Sequence, residues 1–379
     1  MSACLLFVFA ALASTAAAVE YTLASCADLS AVDDTVATSL VITASPFACD
    51  EYTRFRVRNG MTLAATVPEV VFSNFSLKVV GGDLTVEPDV VFNDVLEQPK
   101  NGGVLYVSEG TTATFMGTSE FTGNSVLTKI LDCDLEQSRC WPYFVSAGNT
   151  YAVKKGGAVH NKGTLVFEKD ANFTSNDART IDSTMAGRGG AISNAASGSI
   201  TFKATLRMET NLAEGLYEGT GGAIYNRGDI VVDGDALFQD SRSSSGGAIY
   251  QERWGSFTFN AMATFLGNIC YTSPGGAVAN MGGVMDFNGG SLFDDNSAYG
   301  DEGGDGGAIF SDESGVITLT GSTTFTNNDG GYGGAIYYVS SSTLTYPDDT
   351  FFSGNSVYSD NPENCPNVYV EADPGYCEI

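Results

Sequence analysis

The sequence contains a single histidine, His160, in 379 residues. Sites built from several histidines are therefore excluded, and so is most histidine-based catalysis. Charge is also scarce, at 17% of residues, and basic residues are the minority, 18 against 45 acidic. The formal net charge of -27 repels phosphate backbones, so nucleic acid is not an expected partner. No apolar run is long enough to span a bilayer, and no transmembrane segment is expected. Glycine (45 residues) and a hydrophobic fraction of 43% are plentiful. So apolar a chain is not a solvated disordered one. So glycine-rich a chain is not a helical bundle.

The apolar stretch at residues 4–12 ends in small residues, with Ala16 and Ala18 where a signal peptidase prefers them. It reads as a secretory signal over residues 1–18, although it lacks a leading Lys or Arg. Seven cysteines would remain in the mature chain. Proximity suggests the pairs Cys26–Cys49, Cys133–Cys140 and Cys365–Cys377, with Cys270 left over, in an oxidising compartment. Asn74 and Asn172 begin glycosylation sequons.

The chain repeats itself. Gly-Gly-Ala followed by Val or Ile begins at Gly156, Gly189, Gly221, Gly246, Gly275, Gly306 and Gly333, with a weaker copy at Gly102. The starts lie 33, 32, 25, 29, 31 and 27 residues apart. A second block, G-x-Φ-x-Φ, follows each copy, with apolar pairs such as Leu165/Phe167 and Met285/Phe287. A third block, F-x-x-N, comes next, as in Phe265/Asn268 and Phe293/Asn296. From the last apolar residue of block two to the Phe or Met of block three the spacing is six residues in all seven copies.

Period-two alternation in block two describes a strand with one buried face. Its leading Gly is expected to supply a tight turn. In the GGA strand the fourth position is always Val or Ile and should point inward. The fifth varies freely (His160, Ser193, Tyr225, Tyr250, Ala279, Phe310, Tyr337) and should point outward. Three short strands per unit cannot bury their apolar faces alone, so units must stack. The expected fold is all-β: a right-handed parallel β-helix solenoid of roughly ten coils with disulfide-clipped ends. Phe173, Met208, Phe238, Phe265, Phe293, Phe325 and Phe352 should form one internal ladder. Asn124, Asn176, Asn211, Asn268, Asn296, Asn328 and Asn355 should form another, since Asn tolerates left-handed turns and its amide bonds to neighbouring coils.

Four segments are expected: a signal at 1–18; an N-terminal cap and irregular first coils at 19–101; the repeat β-helix at 102–355, interrupted by an insertion at 125–155; and a C-terminal cap at 356–379. The insertion, with Trp141, Tyr143 and Phe144, should project as a loop pinned by Cys133–Cys140.

Paired GGA[ILV] and F-x-x-N blocks in register resemble the repeat of chlamydial polymorphic outer-membrane proteins, over about Gly102 to Asn355. The resemblance implies a β-helix displayed at a cell surface, with adhesion as the usual role. No strand series of the kind that forms the membrane β-barrel of those bacterial proteins is expected in residues 356–379. The signal and sequons suit a secreted protein.

Many parallel β-helices act on polysaccharides. The Asn-Thr-Asp, Gly-His-Gly and Asp-Pro-His-Asp blocks of such enzymes are absent, and no catalytic residue is assigned. The acidic loop Asp294, Asp295, Asp301, Glu302 and Asp305 is the one candidate for a cofactor, Ca²⁺; a solvated loop is the simpler account. Lys154, Lys155, Lys162 and Lys169 form a small basic group. The candidate binding surface comprises Trp141, Tyr143 and Phe144 with an outward stripe of Tyr225, Tyr250, Phe310 and Tyr337. The favoured function is non-catalytic: a secreted or cell-surface protein that binds extracellular polysaccharide or a cell-surface glycan or protein. The alternative is a Ca²⁺-dependent polysaccharide lyase on the same fold.

Overall fold

The computed structural model describes residues 19–97, 102–126, 153–179, 186–215, 219–272, 274–300, 304–358, 365–371 and 376–378. The expected signal, Cys133, Cys140, Trp141, Tyr143, Phe144, Asp301 and Glu302 lie outside them. Ser125–Val126 and Lys154–Lys155, at the expected ends of the insertion, are themselves short strands in parallel sheets.

Block two forms one wall of a parallel β-helix: twelve parallel strands stacked from Glu20–Leu23 to Thr343–Thr345. Its register pairs Leu165, Ile200, Ile230, Phe257, Met285 and Ile317 in consecutive coils. Each is fully buried. The GGA strands form a second row through Val159, Ile192, Ile224, Ile249, Val278, Ile309, Ile336 and Val368. The F-x-x-N strands form a third, and nine short strands make a fourth wall.

The third row carries the expected phenylalanine ladder. Phe121 stacks on Phe173 at 4.7 Å, Phe265 on Phe293 at 4.7 Å, and Phe293 on Phe325 at 4.8 Å. Phe167 and Phe202 stack in the facing wall at 5.0 Å. The two ladders meet edge to face, as between Phe167 and Phe173 at 6.0 Å and 88°. Burying each ring contributes roughly 1.5–3 kcal/mol, and favourable ring pairs add about 0.5–1.5 kcal/mol.

The asparagine ladder is saturated. Asn176 donates Nδ2 to Asn211 Oδ1 at 3.0 Å and to the Phe121 carbonyl at 2.9 Å. Its own Oδ1 accepts from the Asn124 backbone and from Asn124 Nδ2. All four hydrogen-bonding positions of a buried amide are thus used, which removes the cost of burying it. Ser241 takes the asparagine position in one coil and offers only its backbone N–H to Asn268 Oδ1, at 3.1 Å.

Two expectations about turns need correction. The left-handed residue is not the asparagine but the one before it: Gly123, Ser175, Thr210, Asp240, Gly267, Asp295, Asn327 and Gly354 all have positive φ. The asparagine is needed for its amide, not its backbone. The leading Gly of block two is not left-handed either. A Cβ on Gly198 would lie 2.1 Å from Asn194 Oδ1. That asparagine belongs to a second buried polar ladder, in which Asn161 donates to Asn194 at 2.9 Å and Asn194 to Asn226 at 2.8 Å. Space, not dihedral freedom, selects this glycine.

The two glycines of GGA differ in the same way. Gly221 has φ 65°, and a Cβ there would strike the Ile224 carbonyl at 2.0 Å. Gly222 sits where coils touch: a Cβ would fall 2.1 Å from the carbonyl of Gly247 in the next coil.

The region before Gly102 is more regular than its sequence suggests. Phe47, Phe72 and Phe92 extend the phenylalanine ladder, while Phe55 and Leu77 extend the GGA row to Leu105. The long strands Phe47–Val57 and Glu69–Val79 each serve both rows. These coils lack the Gly-Gly turn, so the repeat signature is missing although the fold continues. Disulfides Cys26–Cys49 and Cys365–Cys377 clip the two ends. At the C-terminal end Val368–Glu371 continues the GGA row, and Tyr376–Glu378 returns antiparallel beside it.

Candidate functional site

Alternation along the GGA strands places every fifth-position residue on the side away from the core. Register lines these up as Arg56, Lys78, Tyr106, His160, Ser193, Tyr225, Tyr250, Ala279, Phe310, Tyr337 and Tyr369. Arg56, Lys78, Tyr106 and Tyr369 are additions that the GGA pattern did not reveal.

The row points outward but is mostly covered. Tyr225, Phe310 and Tyr337 are only 3%, 6% and 7% exposed, and Tyr250 is half-buried. The rings hide one another: Tyr225 stacks on Tyr250 at 5.7 Å, Phe310 on Tyr337 at 5.3 Å, and Tyr337 on Tyr369 at 5.3 Å. Ala279 breaks the series between Tyr250 and Phe310. The short strands Lys154–Lys155, Gly187–Arg188 and Gly219–Thr220 pair with one another just ahead of the GGA strands of their coils. An exposed, contiguous stripe is therefore replaced by a ribbon of stacked rings seen largely at its edge.

His160 is corrected likewise. It is buried, not outward at the surface, and Gly102 of the preceding coil lies against its Cβ. Burial, and then Lys155 and Lys162, push its imidazole down to about 3. The ring is neutral, so Nδ1–H donates to the Ser193 carbonyl at 3.1 Å, and Nε2 has no protein partner.

A cleft of about 280 Å³ opens beside the row, lined by Arg188, Thr220, Tyr225, Ser244, Ser245, Tyr250, Glu252 and Met281 among others. Its polar groups form a chain. Arg188 lies over the Tyr225 ring at 4.9 Å and donates Nη1–H to Tyr225 Oη at 3.1 Å. Tyr225 Oη–H donates to the Glu252 carboxylate. Arg227 Nε pairs with the same oxygen, Glu252 Oε2, at 3.1 Å. Burial raises the Glu252 carboxyl, and Arg188 and Lys155 oppose the shift.

Two residues past Glu252 stands a side chain that the sequence reading passed over. Trp254 is 91% exposed and has φ 70°. A bulky residue with left-handed backbone is strained, and a fully solvated indole gains nothing from burial to offset it. Its turn is held by an ion pair between Arg253 and Glu313 of the coil two further on. Trp254 stands in the turn just before the block-two Gly255, where the next two coils carry Gly282 and Ser314, also with positive φ, and no residue type recurs there to mark it.

Of the acidic loop, Asp294, Asp295 and Asp305 fall among the described residues, and they serve different parts of the coil. The Asp294 carboxylate accepts from Thr326 at 2.7 Å and Asn327 at 2.9 Å, while Asp295 occupies the left-handed turn. Asp305 belongs instead to the edge of the GGA row, bridged to Tyr332. Burial, then Glu371, push its carboxyl up to about 7. Glu371 also accepts from Tyr337 Oη at 2.6 Å. Among the described residues no three His, Cys, Asp or Glu side chains are arranged to hold a metal.

Of the sequons, Asn172 is half-buried on a strand, and Asn74 donates Nδ2 to the Cys49 carbonyl at 3.1 Å. Cys270 is buried, with Sγ 2.9 Å from the Ser244 carbonyl. Lys154 is buried, and Lys169 is exposed beyond block two, so the basic group is not one patch.

The repeat can now be compared with known proteins on its geometry. One stretch contains Phe293-x-x-Asn296 on the phenylalanine row and Gly306-Gly307-Ala308-Ile309 on the GGA row. Residues 290–312 match the Chlamydia polymorphic membrane protein repeat. The polymorphic membrane protein repeat thus spans one passage from the phenylalanine row to the GGA row. No curated protein and no solved structure matches the chain. No helix among the described residues is long and apolar enough to cross a membrane.

Proposed function

We propose that the protein is a cell-surface or secreted β-helix that binds extracellular glycan on the outer side of its GGA row. Trp254 carries the reading: a solvated indole on a left-handed backbone, two residues past Glu252 of the cleft lining, suits a sugar face. The half-buried Tyr250 ring and the Arg188–Tyr225–Glu252 chain supply further contact area and hydrogen-bonding edges. Display at a surface is supported by the name of the matched repeat. The division into a repeat β-helix at 102–355 with capping segments around it is part of the same proposal.

The chain has two tryptophans, so Trp141→Phe leaves Trp254 as the only tryptophan, read by excitation at wavelengths tyrosine does not absorb. Titration of that variant with oligosaccharides should give a saturable fluorescence change, lost in Tyr250→Ala. No change across a panel of neutral and acidic oligosaccharides would overturn the reading.

Asp305 favours a second reading. A carboxyl that holds its proton near neutral pH, beside Glu371 and Tyr337, is a candidate general acid. A polysaccharide-active enzyme would use it at the C-terminal end of the same row, and turnover abolished by Asp305→Asn is its test.

A further inference from the structure

We infer that the ligand carries negative charge: the cleft and its approach are built for an anionic sugar residue, one bearing a carboxylate or a sulfate. The inference rests on the glycan reading and adds its chemical class. In a chain of net charge -27, cations gather here on two rails flanking the GGA row. Lys155 and Arg188 are neighbours on the upstream rail, one coil apart in register. Lys162 and Arg227 immediately follow the buried Asn161 and Asn226 on the downstream rail. His160, Ser193 and Tyr225 lie between the rails.

These cations are underpaired. Among the described residues only Arg227 has an ion pair, with Glu252; Lys155, Lys162 and Arg188 have none. Burial lowers the Lys155 ammonium first, repulsion from Arg188, Lys162 and Arg227 lowers it further, and Glu252 opposes the shift. Four cations against one carboxylate is an arrangement that an incoming anion relieves. Arg188 Nε and Thr220 Oγ1, register partners lining the cleft, are buried and have no protein partner. Buried polar atoms are normally paired, so orphans in a cleft mark a place for ligand oxygen. The planar guanidinium matches a carboxylate or sulfate, while stacking on Tyr225 fixes its plane. At about 280 Å³ the cleft takes one sugar ring, not a long chain.

The test is calorimetric titration, in EDTA to exclude bridging cations, with three ligands of equal length: oligogalacturonate, its full methyl ester, and a sulfated oligogalactan. The acid or the sulfate should bind at least tenfold more tightly than the ester. Arg188→Gln should erase that preference while far-UV circular dichroism and the melting midpoint stay close to those of the parent. Lys155→Gln, outside the cleft wall, should weaken the charged ligand several-fold and leave the ester unaffected. Which charged ligand binds identifies the oxyanion. Equal binding of all three would overturn the anionic class and leave glycan binding standing. Absence of binding by any, with Trp254 fluorescence unmoved, would overturn both.

Discussion

Asn296 donates Nδ2 to Oδ1 of Asn328 at 3.0 Å, and the same oxygen accepts the Asn296 backbone N–H at 3.1 Å. Neighbouring coils are thus locked by a side chain that acts as both donor and acceptor. Aspartate has the same shape without the donors, and would bury a charge. Asn296→Asp should therefore cost roughly 3–5 kcal/mol at neutral pH. It should cost less near pH 4, where the introduced carboxyl holds a proton. Ser241→Asn is the converse. It restores the missing rung between Asn211 and Asn268 and should gain about 1 kcal/mol. Denaturant unfolding of both variants checks these signs; an unchanged midpoint for Asn296→Asp would contradict the ladder's role.

Coil-to-coil contact at the GGA turn leaves no room for a methyl group. Gly222→Ala would put Cβ 2.1 Å from the backbone oxygen of Gly247, which cannot move without displacing the next coil. Gly60, by contrast, has nothing within 4 Å of a Cβ. Gly222→Ala should prevent folding or cost several kcal/mol, in the range of about 1–3 kcal/mol for overpacking or above it. Gly60→Ala should be neutral or slightly stabilising. Comparison of soluble yield and melting midpoint separates the two.

Two buried groups give the stability opposite pH slopes. His160 is held neutral, at about 3 against 6.5 when unfolded. Below about 6.5 the unfolded chain binds the proton that the folded chain refuses, so stability falls as pH drops, by about 1.4 kcal/mol per pH unit at most. Asp305, raised to about 7, holds its proton when folded and loses it when unfolded above about 4. Its contribution is lost as pH rises from 4 to 7. His160→Gln should flatten the acid limb, and Asp305→Asn should raise the midpoint most at pH 7–8. Melting curves from pH 3 to 8 for both variants test the assignment, and parallel curves for parent and variants would refute it.

Trp254 sets stability against binding. Asn tolerates the left-handed backbone that Trp occupies at φ 70°. Trp254→Asn should therefore leave the melting midpoint unchanged or raise it, by an amount on the order of 1 kcal/mol. It should also reduce glycan affinity at least tenfold. A variant that loses stability would show that the indole has a structural role after all.

How far the fold could be read in the sequence depended on which residues repeat. The spacing of six residues between Phe287 and Phe293, kept in every copy, places both internal ladders, and both are present. The coils through Phe47 and Phe72 read as irregular because their long strands need no Gly-Gly turn. The amide role of Asn296 is legible in the sequence; the left-handed residue before it is not, because that position holds Gly, Ser, Thr, Asp or Asn from coil to coil. The outward row was legible in direction but not in exposure. Period two says that Tyr225 faces away from the core; it does not say that Tyr250 will stack on it or that Arg188 will lie across it. Trp254 stands at a variable turn position before Gly255, and only its exposure and backbone reveal it.

The account turns on a surface that binds acidic glycan without acting on it. The most direct measurement incubates the chain with oligogalacturonate and Ca²⁺, following Trp254 fluorescence and the absorbance of unsaturated product in one cuvette, with the Trp141→Phe variant as the reporter. The account predicts a saturable fluorescence change and a flat absorbance trace. Sustained growth of unsaturated product would contradict it and move the function to an active site.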